Sequence, residues 1–162
     1  MGTRNRKLVV FVVGHEKWGK TFTLRALCGR TARRVTIGGV EFFVRRSSND
    51  DIQRRKPNKY IRFVRSLSKP HVIAALCPKF KKISKSSLRQ KFADDLLKTL
   101  RRRGYRLFFW VIKYRWGRSD QYILLEEISE LRKYGRVRVF DGVKETSRVR
   151  AKAFRAFVLS IL

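Results

Sequence analysis

Cysteine is scarce in this sequence, and its apolar runs are short. The two cysteines, Cys28 and Cys77, lie far apart and belong to no Cys-x-x-Cys pair, so the sequence predicts neither a disulfide framework nor a zinc site. No apolar stretch approaches the roughly 20 residues that a membrane-spanning helix needs. These absences argue against small disulfide-stapled proteins and membrane-spanning proteins, and we expect a cytoplasmic protein without a membrane span.

Acidic residues are also scarce. Twelve Asp and Glu residues stand against 41 Lys and Arg residues, which gives a formal net charge of +29. A surface of this sign attracts polyanions such as nucleic acid. Because the basic residues are scattered in short runs, two interpretations stay open: a dedicated nucleic-acid surface, or a basic background spread over solvated faces.

The chain does contain enough apolar material for a folded domain. Its 162 residues are close to the usual size of one domain, 43% of them are hydrophobic, and twelve are Phe. A disordered chain with this many charges would lack so many aromatic side chains. We therefore predict that residues 1–162 form a single globular domain.

Several runs have the length and composition of strands. Leu8–Val13 is continuously apolar, as in a strand that is buried on both faces of a parallel sheet. Two strand-like runs flank Gly38 and Gly39, which predicts an antiparallel hairpin because paired glycines adopt the positive φ values of a tight turn. Three further strands are predicted at residues 71–77, 107–112 and 136–140.

Helical patterns separate these strands. Four segments repeat apolar residues at helical spacing: residues 22–28, 86–103, 123–134 and 146–162. In the last helix we expect four residues to face inward: Val149, Ala153, Phe157 and Ile161. The basic segment 45–68 is expected to hold one short helix around residues 61–64. Alternating strands and helices are typical of a three-layer α/β domain, here with a mainly parallel sheet and one antiparallel hairpin strand.

A glycine loop follows the first predicted strand. Residues 14–21, Gly-His-Glu-Lys-Trp-Gly-Lys-Thr, satisfy G-x-x-x-x-G-K-[ST] at every fixed position. The glycines let the backbone curl so that amide hydrogens point inward and form an anion nest at the positive end of the next helix. Lys20 would bring a charge to the β- and γ-phosphates, and Thr21 would offer its hydroxyl oxygen to Mg²⁺. Average composition gives such a match by chance in roughly 0.5% of chains of this length.

Through Gly14, Gly19, Lys20 and Thr21, with the flanking strand and helix, the chain resembles the P-loop NTPase superfamily. The resemblance implies a P-loop fold, Lys20 as the catalytic cation, and Mg²⁺ with ATP or GTP as cofactors. The residues expected around the nucleotide phosphates are Gly14, His15, Glu16, Lys17, Trp18, Gly19, Lys20, Thr21 and Phe22. For His15 and Trp18, exposed side chains with binding by the backbone are favoured over a role of these side chains in base stacking or catalysis.

The order of elements is also similar to the GTPase, or G-domain, branch, whose second and third strands are antiparallel. That branch implies an acidic residue after the hairpin that binds Mg²⁺ through water. Asp50 and Asp51 stand near this place and complete the predicted metal set with Thr21, although neither is followed by the Gly of a D-x-x-G motif. We therefore expect residues 45–68 to respond to the nucleotide.

At two other positions where branches of the superfamily carry an acidic residue, this sequence has none. The guanine-selecting N-K-x-D motif should follow Ile112, where Lys113 alone matches. The strand at residues 72–76 is followed by Cys77 and Pro78, whereas RecA-like ATPases carry an acidic residue there. The sequence therefore leaves the choice between ATP and GTP open.

Three functions remain after the sequence analysis. The first is a slow or partner-dependent NTPase or nucleotide switch, favoured by the hairpin after the first helix and by the missing acidic motifs. The second is a small-molecule phosphotransferase, or kinase. The third is a basic nucleic-acid-binding module with a nucleotide site, in which the aromatic and basic run at residues 110–118 would stack bases; the same run also fits a core strand with a basic end.

Overall fold

The apolar run at the start of the chain is the central strand of the structure. A computed structural model describes residues 6–49, 59–83 and 92–162 of the protein. Its strands are β1 (Leu8–Val13), β2 (Arg34–Ile37), β3 (Val40–Arg45), β4 (His71–Leu76), β5 (Arg106–Ile112), β6 (Tyr114–Arg115), β7 (Arg118–Tyr122) and β8 (Gly135–Phe140). Its helices are α1 (Lys20–Cys28), α2 (Lys59–Ser66), α3 (Ala93–Arg102), α4 (Leu125–Arg132) and α5 (Ser147–Ile161).

Six strands form one mainly parallel sheet in the order β2-β3-β4-β1-β5-β8. Every neighbouring pair is parallel except β2 and β3, which form the predicted antiparallel hairpin. The short strands β6 and β7 pair with each other as a separate antiparallel hairpin, called here the β6–β7 ribbon. The predicted α/β class with a mainly parallel sheet is confirmed.

β1 lies in the middle because all six of its residues are apolar and can be buried on both faces. It pairs with β4 on one side and β5 on the other, so that Phe11 lies beside Ala74 and Phe109. The rings of Phe11 and Phe109 stack with centroids 5.4 Å apart. Each fully buried side chain of this kind stabilises the fold by about 1.5–3 kcal/mol.

The carboxyl end of β1 lies at a reversal of the strand order. From β1 the chain runs towards the hairpin edge of the sheet, whereas from β4 it crosses to β5 on the other side. Helix α1 packs with α5, and α2 packs with α3, so the helices form two packed pairs beside the sheet. In open α/β sheets, ligands bind at the carboxyl ends of strands where the order reverses in this way.

Helix α5 packs inward with three of the four predicted residues, since Ala153 and Ile161 are partly buried against the core alongside Phe157. Phe157 is buried as expected, but Val149 is 47% exposed and Arg150 is buried in its place. The ring of Phe154 packs edge-on against Trp110 at 5.6 Å, which fixes the rotation of the helix. The prediction was wrong for Val149 alone, which lies in the first turn of α5, where its backbone N–H donates to the capping hydroxyl of Thr146.

Other boundaries differ in smaller ways. Helix α4 begins only at Leu125, because the buried Ile123 and the adjoining Leu124 belong to the chain that leads out of the ribbon. The ribbon itself was not predicted as strands. The short helix expected around residues 61–64 is present as α2, and the predicted start of α3 at residues 86–88 lies outside the described residues. No described helix has the length and apolar character needed to cross a membrane.

Candidate phosphate-binding site

The glycine loop, residues 14–21, connects the end of β1 to the start of α1. Gly14 N–H donates to the carbonyl of Leu76 at 3.1 Å, which ties the loop to β4, and a turn bond joins Trp18 N–H to the His15 carbonyl at 3.2 Å. Lys17 and Gly19 have positive φ values of 65° and 95°. This backbone curl encloses a concavity of about 210 Å³ lined by residues 15–22.

Glycine is required at position 19. Its φ of 95° lies in the left-handed region, and an added Cβ would lie 2.9 Å from Nη1 of Arg150. Gly14 has ordinary space instead, since its nearest contact would be Cβ of Trp18 at 3.4 Å. The second glycine of the motif therefore has a conformational reason, and an added Cβ would also displace the end of the Arg150 side chain.

Lys20 places its ammonium group inside the loop. The residue is only 7% exposed, and Nζ donates to the carbonyl oxygens of Gly14 and, at 3.1 Å, of His15. Its position at the first turn of α1 adds the positive end of the helix dipole to the same place. The structure thus brings the predicted catalytic cation to the centre of the predicted loop.

Carbonyl groups of the glycine loop accept hydrogen bonds, whereas several of its backbone N–H groups, called here the open amides, have no partner among the described residues. The carbonyl of Gly19 accepts bonds from the N–H and the hydroxyl of Thr23 at 3.0 and 2.8 Å. By contrast, the N–H groups of Glu16, Lys17 and Gly19 have no hydrogen-bond partner among the described residues. Open amides around a buried cation form an anion-binding nest.

Trp18 does not follow the prediction of an exposed side chain. It is 5% exposed and belongs to the hydrophobic core. The ring of His15 meets it edge-on at 5.0 Å and remains partly exposed. The prediction was wrong for Trp18 because a variable position in a motif specifies the backbone path, whereas an indole at that position can still pack against the end of the sheet.

His15 connects the loop to two other elements. Its Nε2 lies 2.7 Å from Oε2 of the buried Glu127, whose Oε1 accepts the N–H of Leu124 at 2.9 Å and caps α4. Its Nδ1 lies 3.8 Å from Sγ of Cys77, directly after β4. The side chain of His15 is therefore held in place by contacts with Glu127 of α4 and with Cys77, which follows β4.

The structure describes only part of the predicted Mg²⁺ site. The hydroxyl of Thr21 faces the backbone carbonyl of Arg46 at 3.5 Å, just after β3. Asn49 then exchanges two hydrogen bonds with the backbone of Cys77, at 2.7 and 3.1 Å. Asp50 and Asp51, which come next, lie outside the described residues. In the described parts of the chain no group of three or more His, Cys, Asp or Glu side chains is placed to hold a metal ion.

The remaining predicted residues line the concavity. Glu16, Lys17 and Phe22 stand at its rim with exposed side chains, so all of residues 15–22 surround one space. With Gly14 forming the connection to β1, the predicted phosphate-binding set lies together in the structure. No match to this chain was found among protein-family models, curated proteins or solved structures. The geometry of the loop therefore carries the functional argument.

Sequence reasoning did not identify two residues that contact the loop, Glu127 and Arg150. Glu127 stands at the third position of α4, where an acidic residue also has an ordinary capping role. Arg150 stands four residues before Phe154 in the apolar stripe of α5, and this charged residue within the stripe was the available signal.

Proposed function

We propose that this protein binds Mg²⁺-nucleoside triphosphate, ATP or GTP, by enclosing the phosphates in the glycine loop of a P-loop NTPase fold. One observation carries the proposal: the ammonium of Lys20 is buried inside a curled loop whose open amides line the same concavity. A cation, free N–H donors and a helix N-terminus all favour negative charge at one point. A phosphate group presents the oxygen acceptors that these donors need.

We further propose that the bound triphosphate acts as a switch or is hydrolysed slowly, with or without a partner. The hairpin β2–β3 follows α1, and the Thr21 hydroxyl faces Arg46, where the chain leaves β3 towards Asp50 and Asp51. A γ-phosphate with Mg²⁺ bound at Thr21 would link the loop to this segment, and the link would be lost after hydrolysis. Segments ordered in this way report which nucleotide is bound.

Titration with a fluorescent triphosphate tests the binding proposal. We expect Lys20→Ala to weaken binding by about 100-fold, because the phosphates lose their closest cation. Lys98→Ala is the matched control, since Lys98 is an exposed lysine on α3 and its loss changes the net charge equally. Equal affinities for wild type and Lys20→Ala would show that the basic surface, rather than the loop, holds the nucleotide.

Two assays separate the possible activities. Phosphate release from ATP and GTP, measured alone and with DNA or RNA, distinguishes intrinsic from partner-dependent hydrolysis. Transfer of labelled γ-phosphate to a small-molecule acceptor would instead identify a phosphotransferase. We expect slow release and no transfer.

The β6–β7 ribbon favours nucleic-acid binding as a second candidate function. Trp116 and Tyr122 are 57% and 54% exposed, and Arg118 is exposed between them. Exposed aromatic rings beside arginines stack unpaired bases, and the net charge of +29 attracts the backbone of the same strand. The ribbon stands next to the loop before α5, since Gly117 N–H donates to the Val143 carbonyl at 2.8 Å.

Fluorescence anisotropy with labelled single-stranded RNA and DNA tests this second function. We expect Trp116→Ala to weaken binding about tenfold, in line with the loss of one stacked base. Leu159→Ala, which removes an exposed apolar side chain from α5, serves as the control. Unchanged affinity in Trp116→Ala would assign nucleic-acid attraction to diffuse charge alone.

A further inference from the structure

A buried guanidinium on the last helix contacts the glycine loop from outside. Arg150 lies in α5 and is only 2% exposed. Its Nη1 donates to the carbonyl of Trp18 at 2.7 Å and lies 2.9 Å from the position that a Cβ would occupy on Gly19. A residue far along the chain therefore contacts the two loop residues that precede α1.

The charge of Arg150 is poorly compensated by the described residues. Neither Nε nor Nη2 has a hydrogen-bond partner among the described residues, although both are buried. Burial lowers the pKa of the guanidinium, and the charge of Glu145 opposes that effect without forming an ion pair. Arginine stays protonated even so, which makes a buried guanidinium without a close carboxylate costly for folding.

Two other cations of this chain form ion pairs with carboxylates near the surface. Lys81 pairs with Asp95 at 2.9 Å and Lys133 with Glu130 at 2.7 Å, and all of these except Glu130 are well exposed. Buried polar groups normally have hydrogen-bond partners, as the guanidinium of Arg103 has in the carbonyls of Val64 and Leu67. Nε and Nη2 of Arg150 lack such partners among the described residues, so the guanidinium can still interact with a negatively charged ligand.

The geometry of one peptide unit connects Arg150 to that ligand. The carbonyl of Trp18 and the N–H of Gly19 belong to the same planar trans peptide, so they point in opposite directions. Because Arg150 holds the carbonyl and does not line the concavity, the N–H of Gly19 points away from Arg150. This is one of the open amides, with no partner among the described residues.

We propose that Arg150 is a positioning residue of the phosphate site, an inference that rests on the proposed function. It orients the peptide between Trp18 and Gly19 so that the Gly19 amide donates to a phosphate oxygen. It also adds a second buried positive charge, behind the loop, to that of Lys20. A bound triphosphate supplies the negative charge that the guanidinium lacks.

Substitution of Arg150 separates positioning from a purely structural role. In Arg150→Met, which keeps the length and packing of the side chain, we expect affinity for a fluorescent Mg²⁺-triphosphate to fall about tenfold. The Tm of the ligand-free protein should stay within about 4 °C of wild type or rise, because a buried charge is removed. Arg150→Lys retains a charge and a donor and should recover part of the affinity. Arg148→Met, at an exposed position of the same helix, is the control for net charge.

The amide resonance of Gly19 provides the signature of positioning. Addition of inorganic triphosphate with Mg²⁺ should shift it strongly in wild type and in Arg150→Lys, and weakly in Arg150→Met. Wild-type affinity and an undiminished Gly19 shift in Arg150→Met would overturn the inference, and so would failure of this variant to fold. If wild type itself binds no triphosphate, the proposed function fails as well; if Lys20→Ala alone weakens binding, only the role of Arg150 is wrong.

Discussion

The glycine loop and the β6–β7 ribbon are both basic, but they present their charges in opposite ways. In the loop, Lys20 is buried and its ammonium is held by backbone carbonyls. In the ribbon, Arg118 pairs with Asp120 at 3.2 Å on an exposed face, where such a pair contributes little to stability. Trp18 packs into the core, whereas Trp116 stands in solvent.

Net charge alone would therefore not locate the proposed nucleotide site. A small anion is bound by donors that are fixed, enclosed and few, because each must be held in position before the ligand arrives. An extended polyanion is bound by charges and rings that are open along a surface. The two regions should therefore fail independently when they are mutated.

Gly19→Ala should have the largest effect on the loop. Alanine is strained at the left-handed φ of 95°, and its Cβ would displace the guanidinium of Arg150, so we expect a loss of about 1–3 kcal/mol in the free energy of unfolding and no measurable triphosphate binding. Chemical denaturation and nucleotide titration measure both effects. Gly104→Ala is the control, since Gly104 has a φ of 87° and open space around its Cβ position. Retained affinity in Gly19→Ala would contradict the described loop geometry.

The metal end of the site should give the next largest effect. We expect the double variant Asp50→Asn, Asp51→Asn to lose most of the gain in triphosphate affinity that Mg²⁺ provides, about tenfold, while affinity without Mg²⁺ stays the same or rises. Titrations with Mg²⁺ and with a chelator separate these terms. An unaltered Mg²⁺ dependence would remove Asp50 and Asp51 from the predicted metal set and leave Thr21 without an acidic partner in it.

Glu127→Gln should have a smaller effect on the same loop. The amide oxygen can still accept the N–H of Leu124, so the cap of α4 is kept, but the negative charge that faces His15 at 2.7 Å is lost. We expect about a threefold change in triphosphate affinity and little change in Tm. A loss as large as that of Lys20→Ala would mean that His15 takes a direct part in binding.

The smallest effects are expected when a variant in one region is tested for binding of the ligand of the other region. Trp116→Ala should leave triphosphate affinity within about twofold of wild type, and Lys20→Ala should do the same for RNA affinity, because each region binds through its own contacts. Nucleic-acid affinity should fall steeply with salt, whereas binding in the loop should fall less. Equal losses in both assays from either variant would show one shared surface.

The sequence predicted the parts of the site that depend on the backbone and missed those that depend on packing. The continuous apolar run of β1 and the fixed residues of the motif predicted the curl around Lys20, because the glycines and the lysine are needed for the curl itself. The burial of Trp18 and Arg150 depends on which side chains α5 and the sheet bring to the loop. A hydrophobic pattern assigns a charged residue to the surface, so it cannot predict a buried arginine.

The β6–β7 ribbon is a second feature that a hydrophobic pattern could not predict. Its strands are short and largely polar, and pairing between Tyr114 and Tyr122 depends on the turn at Gly117 rather than on an apolar pattern. The link between His15 and Glu127 also joins residues that are distant in sequence. Neither contact corresponds to a periodic pattern in the sequence, so neither could be predicted from it.

Amide chemical-shift mapping of the whole chain on addition of Mg²⁺-triphosphate tests the central claim most directly. We predict that the largest shifts fall on residues 14–21, above all on the open amides of Glu16, Lys17 and Gly19, and that they saturate with one ligand per chain. Lys20→Ala should remove them at the same ligand concentration. Shifts spread over the exposed basic residues or centred on the β6–β7 ribbon, with residues 14–21 unchanged, would contradict the account.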